Sequence, residues 1–266
     1  MTSPVSTLTP VHVVRALRRR WKKFFSKNFL LTEQDFENGR PLTSENTWKA
    51  LTNHYVSMDR PARILEYGSG FSTYYHIKSL LYHRGGHLVS VEHNTEWYRG
   101  MARSLERVYG KFFDNERIEI SESGRVVVLD YLLRPGTASE GCGTLKEFNK
   151  YVLAPTGKFD LVVVDGRARK ACVNHVLDQD LLNGDGLLVL FEAGRGHPEW
   201  RNEKQMAGTF DYQPEVNRLL EMGGEIVDGN GLERWSNWVS NRKPHKFVSE
   251  SSPKEACFYR APCDTR

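Results

Sequence analysis

From residue 63 onward, the sequence alternates between short apolar runs and longer stretches with helical periodicity. Five runs have the length and composition of strands, at 64–67, 87–91, 117–120, 159–164 and 186–191. Helical periodicity lies at 72–82, 95–109 and 168–182. Near-continuous apolar strands that alternate with helices are typical of a parallel sheet covered on both faces. We therefore predict an α/β, doubly wound fold, with a mostly parallel sheet, helices on both faces, and additional N-terminal helices.

This alternation is interrupted at two places. The segment 124–157 is longer than one crossover helix, and the segment 193–212 is polar, rich in Gly, His and Arg, and without a clear period. We predict that residues 61–266 form the α/β domain, with insertions at about 124–157 and 193–212, and that residues 1–60 form a helical extension. Both insertions are expected near the carboxyl edge of the sheet, where loops determine the substrate.

Basic residues are concentrated at the start of the chain. Residues 1–28 contain seven Lys or Arg and no acid, whereas the remaining residues carry 30 basic and 33 acidic side chains. The spacing predicts a basic amphipathic helix at 9–28 and a second helix at about 44–58. For the first helix three roles stay open, namely packing on the domain, peripheral membrane contact, and cleavable targeting. Because the rest of the chain is not basic, no nucleic-acid partner is predicted.

Cysteine usage and the length of the apolar runs bear on the cellular setting. The four cysteines form no C-x-x-C pair, which argues against a structural zinc site and against a disulfide framework. The longest apolar runs, such as 187–191, are too short to cross a bilayer. We therefore expect a reducing compartment and a cytoplasmic location.

The strongest local motif is a strand that runs into a glycine turn and then into a helix. It spans residues 64–73, with Gly68 and Gly70 at the bend. Glycines let the backbone approach a ligand closely, and the start of a helix offers unpaired N–H groups. Glu92 ends the next predicted strand, where an acid can accept both hydroxyls of a ribose. The combination predicts a nucleoside-binding site.

Two positions in this motif bear on which nucleoside is bound. A dinucleotide fingerprint would place a third glycine where Thr73 stands, and an apolar residue where Glu66 stands. An acid before the turn would repel a pyrophosphate and suits a cation. A nicotinamide cofactor is therefore the second choice.

At these residues the chain resembles the class I S-adenosylmethionine-dependent methyltransferases, whose first motif is acid-x-Gly-x-Gly. The resemblance covers about residues 60–192 and includes the strand 159–165 and the turn into the strand at 182–190. It implies a mostly parallel sheet of the seven-stranded type, and S-adenosylmethionine as the cofactor. The residues that it implies for cofactor binding are Glu66, Gly68, Ser69, Gly70, Ser72, Thr73, Glu92, His93, Glu122, Ser123 and Asp165, with Glu92 on the ribose and Glu122 and Ser123 near the adenine.

Further candidates follow the fourth and fifth predicted strands. By the same resemblance, Asp165 contacts the cofactor or accepts a proton from the acceptor. His197 is the alternative base, because its predicted location is a Gly-flanked loop at the active edge. Basic residues just after Asp165 oppose the dipole of the following helix, so an anion is expected near them. That anion is either an acid of the protein or a carboxylate or phosphate of the substrate. The candidate substrate-binding residues are Arg167, Arg169, Glu192 and Arg195.

A metal ion is not predicted. Catechol-type relatives bind magnesium through an Asp after strand four and an Asp-Asn pair after strand five. This chain has Asp165 at the first place but Glu192 and Ala193 at the second.

We therefore expect methyl transfer from S-adenosylmethionine to an oxygen, with nitrogen as the second choice, of a polar and anionic small molecule or saccharide. Two other hypotheses stay open. One is an NAD(P)-dependent oxidoreductase built on the same glycine turn. The other is a non-catalytic protein that docks through its basic N-terminal helix. The sequence leaves the oligomeric state open.

Overall fold

The structure is a computed structural model that describes residues 30–38, 45–111, 116–137, 143–191, 213–228 and 254–262. The predicted helix at 9–28 and the predicted insertion at 193–212 lie outside these residues. Among the helices described, none is long and apolar enough to span a membrane. The division of the chain at residue 60 stays a prediction.

Seven helices and eight strands follow one another in the described residues. The helices are α1 (Glu33–Asn38), α2 (Glu45–Val56), α3 (Phe71–Tyr82), α4 (Thr95–Tyr109), α5 (Leu145–Val152), α6 (Arg169–Asp178) and α7 (Gln213–Glu221). The strands are β1 (Ala62–Tyr67), β2 (Gly86–Glu92), β3 (Arg117–Glu122), β4 (Arg125–Leu133), β5 (Phe159–Val164), β6 (Leu182–Phe191), β7 (Glu225–Asp228) and β8 (Lys254–Arg260). Helix α2 falls within the range predicted for the second helix.

The strands form one sheet in the order β3-β4-β2-β1-β5-β6-β8-β7. The five central strands pair in parallel, in the order β4, β2, β1, β5 and β6. At the edges, β3 pairs antiparallel with β4, and β8 pairs antiparallel with both β6 and β7. The predicted α/β, doubly wound and mostly parallel fold is confirmed. The strands β4, β7 and β8 were not predicted from the sequence.

The third predicted strand has a different role from the one expected. The run at 117–120 belongs to the antiparallel edge strand β3, and the parallel neighbour of β2 is β4. Ser123 and Gly124 both have positive φ, at 52° and 77°, and join β3 to β4 in a two-residue hairpin turn. The first part of the predicted insertion at 124–157 is therefore a strand of the sheet.

Side chains that alternate along each strand separate two cores. On one face, Ile64 and Leu161 pack with residues of α2, α3 and α4. On the other face, Leu65 and Val162 pack with residues of α5, α6 and α7. Helices that follow β1 and β2 thus cover one face, and helices that precede and follow β5 cover the other. The strand order reverses between β1 and β5, and ligands of doubly wound sheets bind at the carboxyl ends of such strands.

Candidate functional site

The turn after β1 lies at this switch point and is packed against the turn after β5. Gly68 has a φ of 97°, and a Cβ atom there would lie 2.6 Å from the Cα atom of Gly166. The carbonyl of Tyr67 accepts hydrogen bonds from the N–H groups of Asp165 and Gly166, at 3.0 and 2.7 Å. Glycine is suited to both this conformation and this contact. The predicted glycine turn is therefore a fixed junction between the two central strands.

Three successive N–H groups of this turn donate within the protein. The N–H of Gly68 donates to a carbonyl of β2 at 2.9 Å. The N–H of Ser69 donates to the Glu92 carboxylate at 3.0 Å, and the N–H of Gly70 donates to the Thr73 hydroxyl at 2.9 Å. A dinucleotide-binding turn instead presents such groups to a pyrophosphate. These donors are thus engaged where a phosphate would need them.

Glu66 lies completely buried beneath the turn. Its carboxylate accepts hydrogen bonds from the hydroxyls of Ser72, Thr73 and Ser90, the last two at 2.6 and 2.7 Å. Burial outweighs these hydrogen bonds and raises the pKa of Glu66 to about 7. The hydroxyls fix the start of α3 against β1 and β2. Direct contact of Glu66, Ser72 or Thr73 with a cofactor stays a prediction.

Glu92 ends β2 beside the turn and is only 3% exposed. Its Oε2 atom accepts from the N–H and the hydroxyl of Ser69, at 3.0 and 3.1 Å. Its Oε1 atom accepts from the N–H groups of His93 and Asn94, at 2.8 and 2.7 Å. The predicted residues Ser69, Glu92 and His93 therefore lie together. A ribose that binds Glu92 would have to compete with these donors.

Asp165 follows β5 on the other side of the turn, and its side chain is 50% exposed. Arg169, in the first turn of α6, donates to the Asp165 carboxylate at 3.0 Å. It also donates to the carbonyls of Asp165, Gly166 and Phe191, at 2.7, 3.0 and 2.8 Å. For Arg169, the anion expected near the start of α6 is therefore an acid of the protein, which was one of the two alternatives.

These hydrogen bonds disfavour the prediction that Arg169 binds the substrate, which stays untested. All three nitrogens of its guanidinium donate to the protein, and turning the side chain to a ligand would leave carbonyls without donors. Arg167 is partly exposed in the turn before α6, and its contact with substrate stays a prediction. The other predicted residues on the acceptor side, Glu192, Arg195 and His197, lie outside the described residues.

The predicted location of Glu122 and Ser123 near an adenine is also corrected. The register pairs Gly86 with Val127 and Glu92 with Leu133, so β4 starts at the amino edge of the sheet and ends beside Glu92. The turn of Glu122 and Ser123 precedes β4 and lies at the amino edge, opposite to the glycine turn. The error follows from taking β3 for the third parallel strand.

Aromatic residues that were not predicted from the sequence hold Ser69 in place. The indole N–H of Trp97 donates to the carbonyl of Ser69 at 2.7 Å, and the Tyr131 hydroxyl lies 2.8 Å from the Ser69 hydroxyl. The buried ring of Tyr131 stacks on that of Tyr98, with 4.4 Å between centroids. Tyr131 lies in β4. The Ser-Gly pair at 123–124, followed by an apolar run, was the signal for that strand.

Helix α5 supplies a second group of aromatic neighbours. The ring of His93 lies edge-on to the rings of Phe148 and Tyr151, with 5.6 and 5.7 Å between centroids. Tyr151 is fully buried, and a Cβ atom on Gly166 would lie 2.1 Å from its hydroxyl oxygen. The later part of the predicted insertion, 145–152, therefore packs beside the turns that follow β2 and β5.

In the portion of the chain that the structure describes, no group of three or more His, Cys, Asp or Glu side chains is arranged to hold a metal ion. Glu192 is not part of that portion.

The buried carboxylate of Glu66 leads to a test by stability. The pKa of about 7 lies above its ordinary value of 4.5, so the folded protein binds the additional proton between these pH values. The contribution of Glu66 to stability is therefore complete at acid pH and is lost as the pH rises toward 7. We expect Glu66→Gln to remove a decline of roughly 1 kcal/mol per pH unit in the free energy of unfolding between pH 5 and 7.

The measurement is urea unfolding of both proteins across this pH range. Buried His54 and His76, whose pKa values are lowered to about 4 and about 3, add a slope of opposite sign in both proteins. The difference between the two curves therefore isolates Glu66. Exposed Glu122, changed to Gln, is the matched control and should give a curve parallel to that of the wild type. Parallel curves for Glu66→Gln would contradict the assignment.

Comparison with known proteins gives structural similarity without sequence relatives. No family model matches the chain, and no curated protein matches it. The chain is similar to a proposed O-methyltransferase from Klebsiella pneumoniae, at 15% identity over 93% of this chain and 97% of that chain, with a TM-score of 0.46. It is also similar to an SAH-bound methyltransferase from Podospora anserina, at 16% identity over 97% of this chain and 99% of that chain, with a TM-score of 0.38. A third similar structure is a SAM-dependent O-methyltransferase from Thermotoga maritima, at 12% identity over 97% of this chain and 73% of that chain, with a TM-score of 0.40. The function of this chain is therefore inferred from its own residues.

Proposed function

We propose that this protein is a class I methyltransferase that uses S-adenosylmethionine. The observation that carries the proposal is the glycine turn, in which the N–H groups of Gly68, Ser69 and Gly70 donate within the protein. Carboxylates of Glu66, Glu92 and Asp165 lie beneath and beside this turn. Such a site disfavours a pyrophosphate and suits a nucleoside that carries a positive charge. When bound, the cofactor supplies a methyl group activated on a sulfonium.

The donors around Glu92 support its role toward the ribose. A carboxylate accepts about four hydrogen bonds, and in this structure two of its donors come from Ser69. The hydroxyl of Ser69 has a second partner in Tyr131, so a ribose hydroxyl can replace it on Glu92. The N–H of Arg134, directly after β4, donates to the carbonyl of Glu92 at 2.8 Å. We infer that the adenine lies near the turn after β4 and near His93.

On the acceptor side, Asp165 is the residue that the described structure supports best. Its carboxylate is half exposed at the carboxyl edge of the sheet and is held by Arg169. We propose that Asp165 or His197 removes a proton from an acceptor oxygen, with nitrogen as the second choice. The remaining contribution of the protein is to align donor and acceptor and to exclude water. The acceptor is proposed to be a polar small molecule or saccharide.

Fewer basic residues are candidates to bind an anionic acceptor than the sequence predicted. Arg169 is bonded within the protein, so Arg167 and Arg195 are the remaining candidates to bind an acidic group. An NAD(P)-dependent reaction is disfavoured by the engaged N–H groups of the turn. Docking through residues 9–28, at a membrane or elsewhere, and a cytoplasmic location both stay predictions.

Removing the charge of Glu92 should weaken cofactor binding. We expect Glu92→Gln to lower the affinity for S-adenosylmethionine roughly ten- to hundredfold, because charge-assisted hydrogen bonds to the ribose are lost. Isothermal titration calorimetry measures this effect, and near-ultraviolet circular dichroism checks the fold. Glu92→Asp, which keeps the charge on a shorter side chain, should show a smaller loss. Glu122→Gln, the same change at the opposite edge of the sheet, should bind like the wild type. Equal affinity for Glu92→Gln and the wild type would refute the ribose role.

The acceptor class can be tested with a labelled methyl group. Incubation of whole-cell extract with the protein and S-adenosylmethionine that carries a deuterated methyl, followed by separation into small-molecule, nucleic-acid and protein fractions, should give a small-molecule product heavier by one labelled methyl. Fragmentation in the mass spectrometer then shows whether the methyl is on oxygen or nitrogen. The Glu92→Gln variant should form less of this product. Label that appears only in the nucleic-acid or protein fraction would contradict a small-molecule acceptor.

A further inference from the structure

The carboxylate of Glu66 neither binds the acceptor nor carries a proton in the proposed transfer, and it is fully buried. Its hydrogen-bond donors are three hydroxyls, supplied by Ser72 and Thr73 of α3 and by Ser90 of β2. Within the described residues, no Lys, Arg or His side chain donates a hydrogen bond to the Glu66 carboxylate. An ionised carboxylate held by these hydroxyls is not neutralised by its hydrogen-bond donors.

This carboxylate is connected directly to the glycine turn. The hydroxyl of Thr73 donates to Glu66 at 2.6 Å and accepts the N–H of Gly70 at 2.9 Å. Ser90, a second donor, lies opposite Glu66 in the register of β1 and β2 and two residues before Glu92. The charge of Glu66 therefore lies beneath the place where the proposed cofactor binds.

We propose that Glu66, through its charge and without contacting the ligand, makes the site prefer the sulfonium cofactor over the neutral product S-adenosylhomocysteine. This inference rests on the proposed function. In the transfer, the acceptor oxygen forms a bond to the methyl carbon, and the electron pair of the broken carbon–sulfur bond stays on sulfur. The acceptor proton passes to the base. The sulfur thereby loses its positive charge, and the attraction by a buried negative charge is lost with it. Glu66 thus favours exchange of product for fresh cofactor.

The neighbours of Glu66 determine how its charge responds to pH. The three hydroxyls come from α3 and β2, Tyr131 approaches from β4, and Asp165 lies beyond the end of β5. Glu92 lies at the end of β2. Burial raises the pKa of Glu66 to about 7, and the nearby charge of Asp165 acts in the same direction. Burial also raises the pKa of Tyr131 well above its usual value, so Tyr131 stays neutral. The preference for a cationic ligand should therefore increase as the pH rises through 7.

Three nucleosides that differ at one position test this inference. S-adenosylmethionine carries a sulfonium, sinefungin carries an amine in its place and is also cationic, and S-adenosylhomocysteine is neutral there. We expect the ratio of the dissociation constants of S-adenosylhomocysteine and S-adenosylmethionine to rise about fivefold from pH 6 to pH 8 in the wild type. Sinefungin should behave like S-adenosylmethionine. In Glu66→Gln, which imitates the protonated side chain, the ratio should not change with pH.

A second measurement and a control variant separate the possible outcomes. Calorimetry of the wild type in two buffers of different ionisation enthalpy should show more proton release near pH 7 for S-adenosylmethionine than for S-adenosylhomocysteine, and this measurement needs no variant. Glu122→Gln should keep the wild-type pH dependence. A wild-type ratio that is constant with pH, or a Glu66→Gln ratio that changes as in the wild type, overturns the inference while the proposed function stands. If none of the three ligands binds the wild type, the proposed function fails and the inference fails with it.

Discussion

The contact between Gly68 and Gly166 is the constraint on which the rest of the site depends. The two central strands end side by side, and both turns that follow them must pass through the same narrow space. A side chain at residue 68 would collide with the backbone of the other turn. Because β1, β2 and β5 run parallel, the start of α3, Asp165 and Glu92 all lie at the same edge of the sheet.

The way in which this turn satisfies its own N–H groups determines the chemistry that it can support. Many nucleotide sites leave the start of a helix open for a phosphate. Here a threonine hydroxyl, a glutamate carboxylate and a strand carbonyl accept the three hydrogen bonds instead. The threonine hydroxyl also donates to buried Glu66. The glutamate, Glu92, is connected through Ser69 to aromatic residues of α4 and β4. The site is therefore negative, with its turn already satisfied, and this combination suits a cationic nucleoside without phosphates.

The sequence was sufficient for the centre of the fold and for the turn, because both depend on local patterns. The apolar run of β1, the glycines and the acid at the end of β2 lie within 30 residues and follow simple periodicities. The edge strand β3 and its neighbour β4 were confused because a hairpin inside an otherwise parallel pattern breaks the expected alternation. That confusion placed Glu122 and Ser123 at the wrong edge of the sheet.

The partners of Arg169 and Ser69 could not be predicted for a different reason. Arg169 bonds to the end of β6, 22 residues away, and Ser69 bonds to Tyr131, 62 residues away. Such pairs depend on which strands become neighbours and on how side chains turn within the fold. A charge pattern at the start of a helix indicates that an anion is needed, but both a ligand and the protein itself can supply it. In this fold the protein supplies it to Arg169.

The central claim is that the turn after β1 accepts a cationic nucleoside and rejects a pyrophosphate. The most direct measurement is a pair of calorimetric titrations of the full chain, one with S-adenosylmethionine and one with NADH. The structure predicts saturable binding of S-adenosylmethionine at one site per chain and no binding heat with NADH. Saturable binding of NADH, together with no binding of S-adenosylmethionine, would contradict the account.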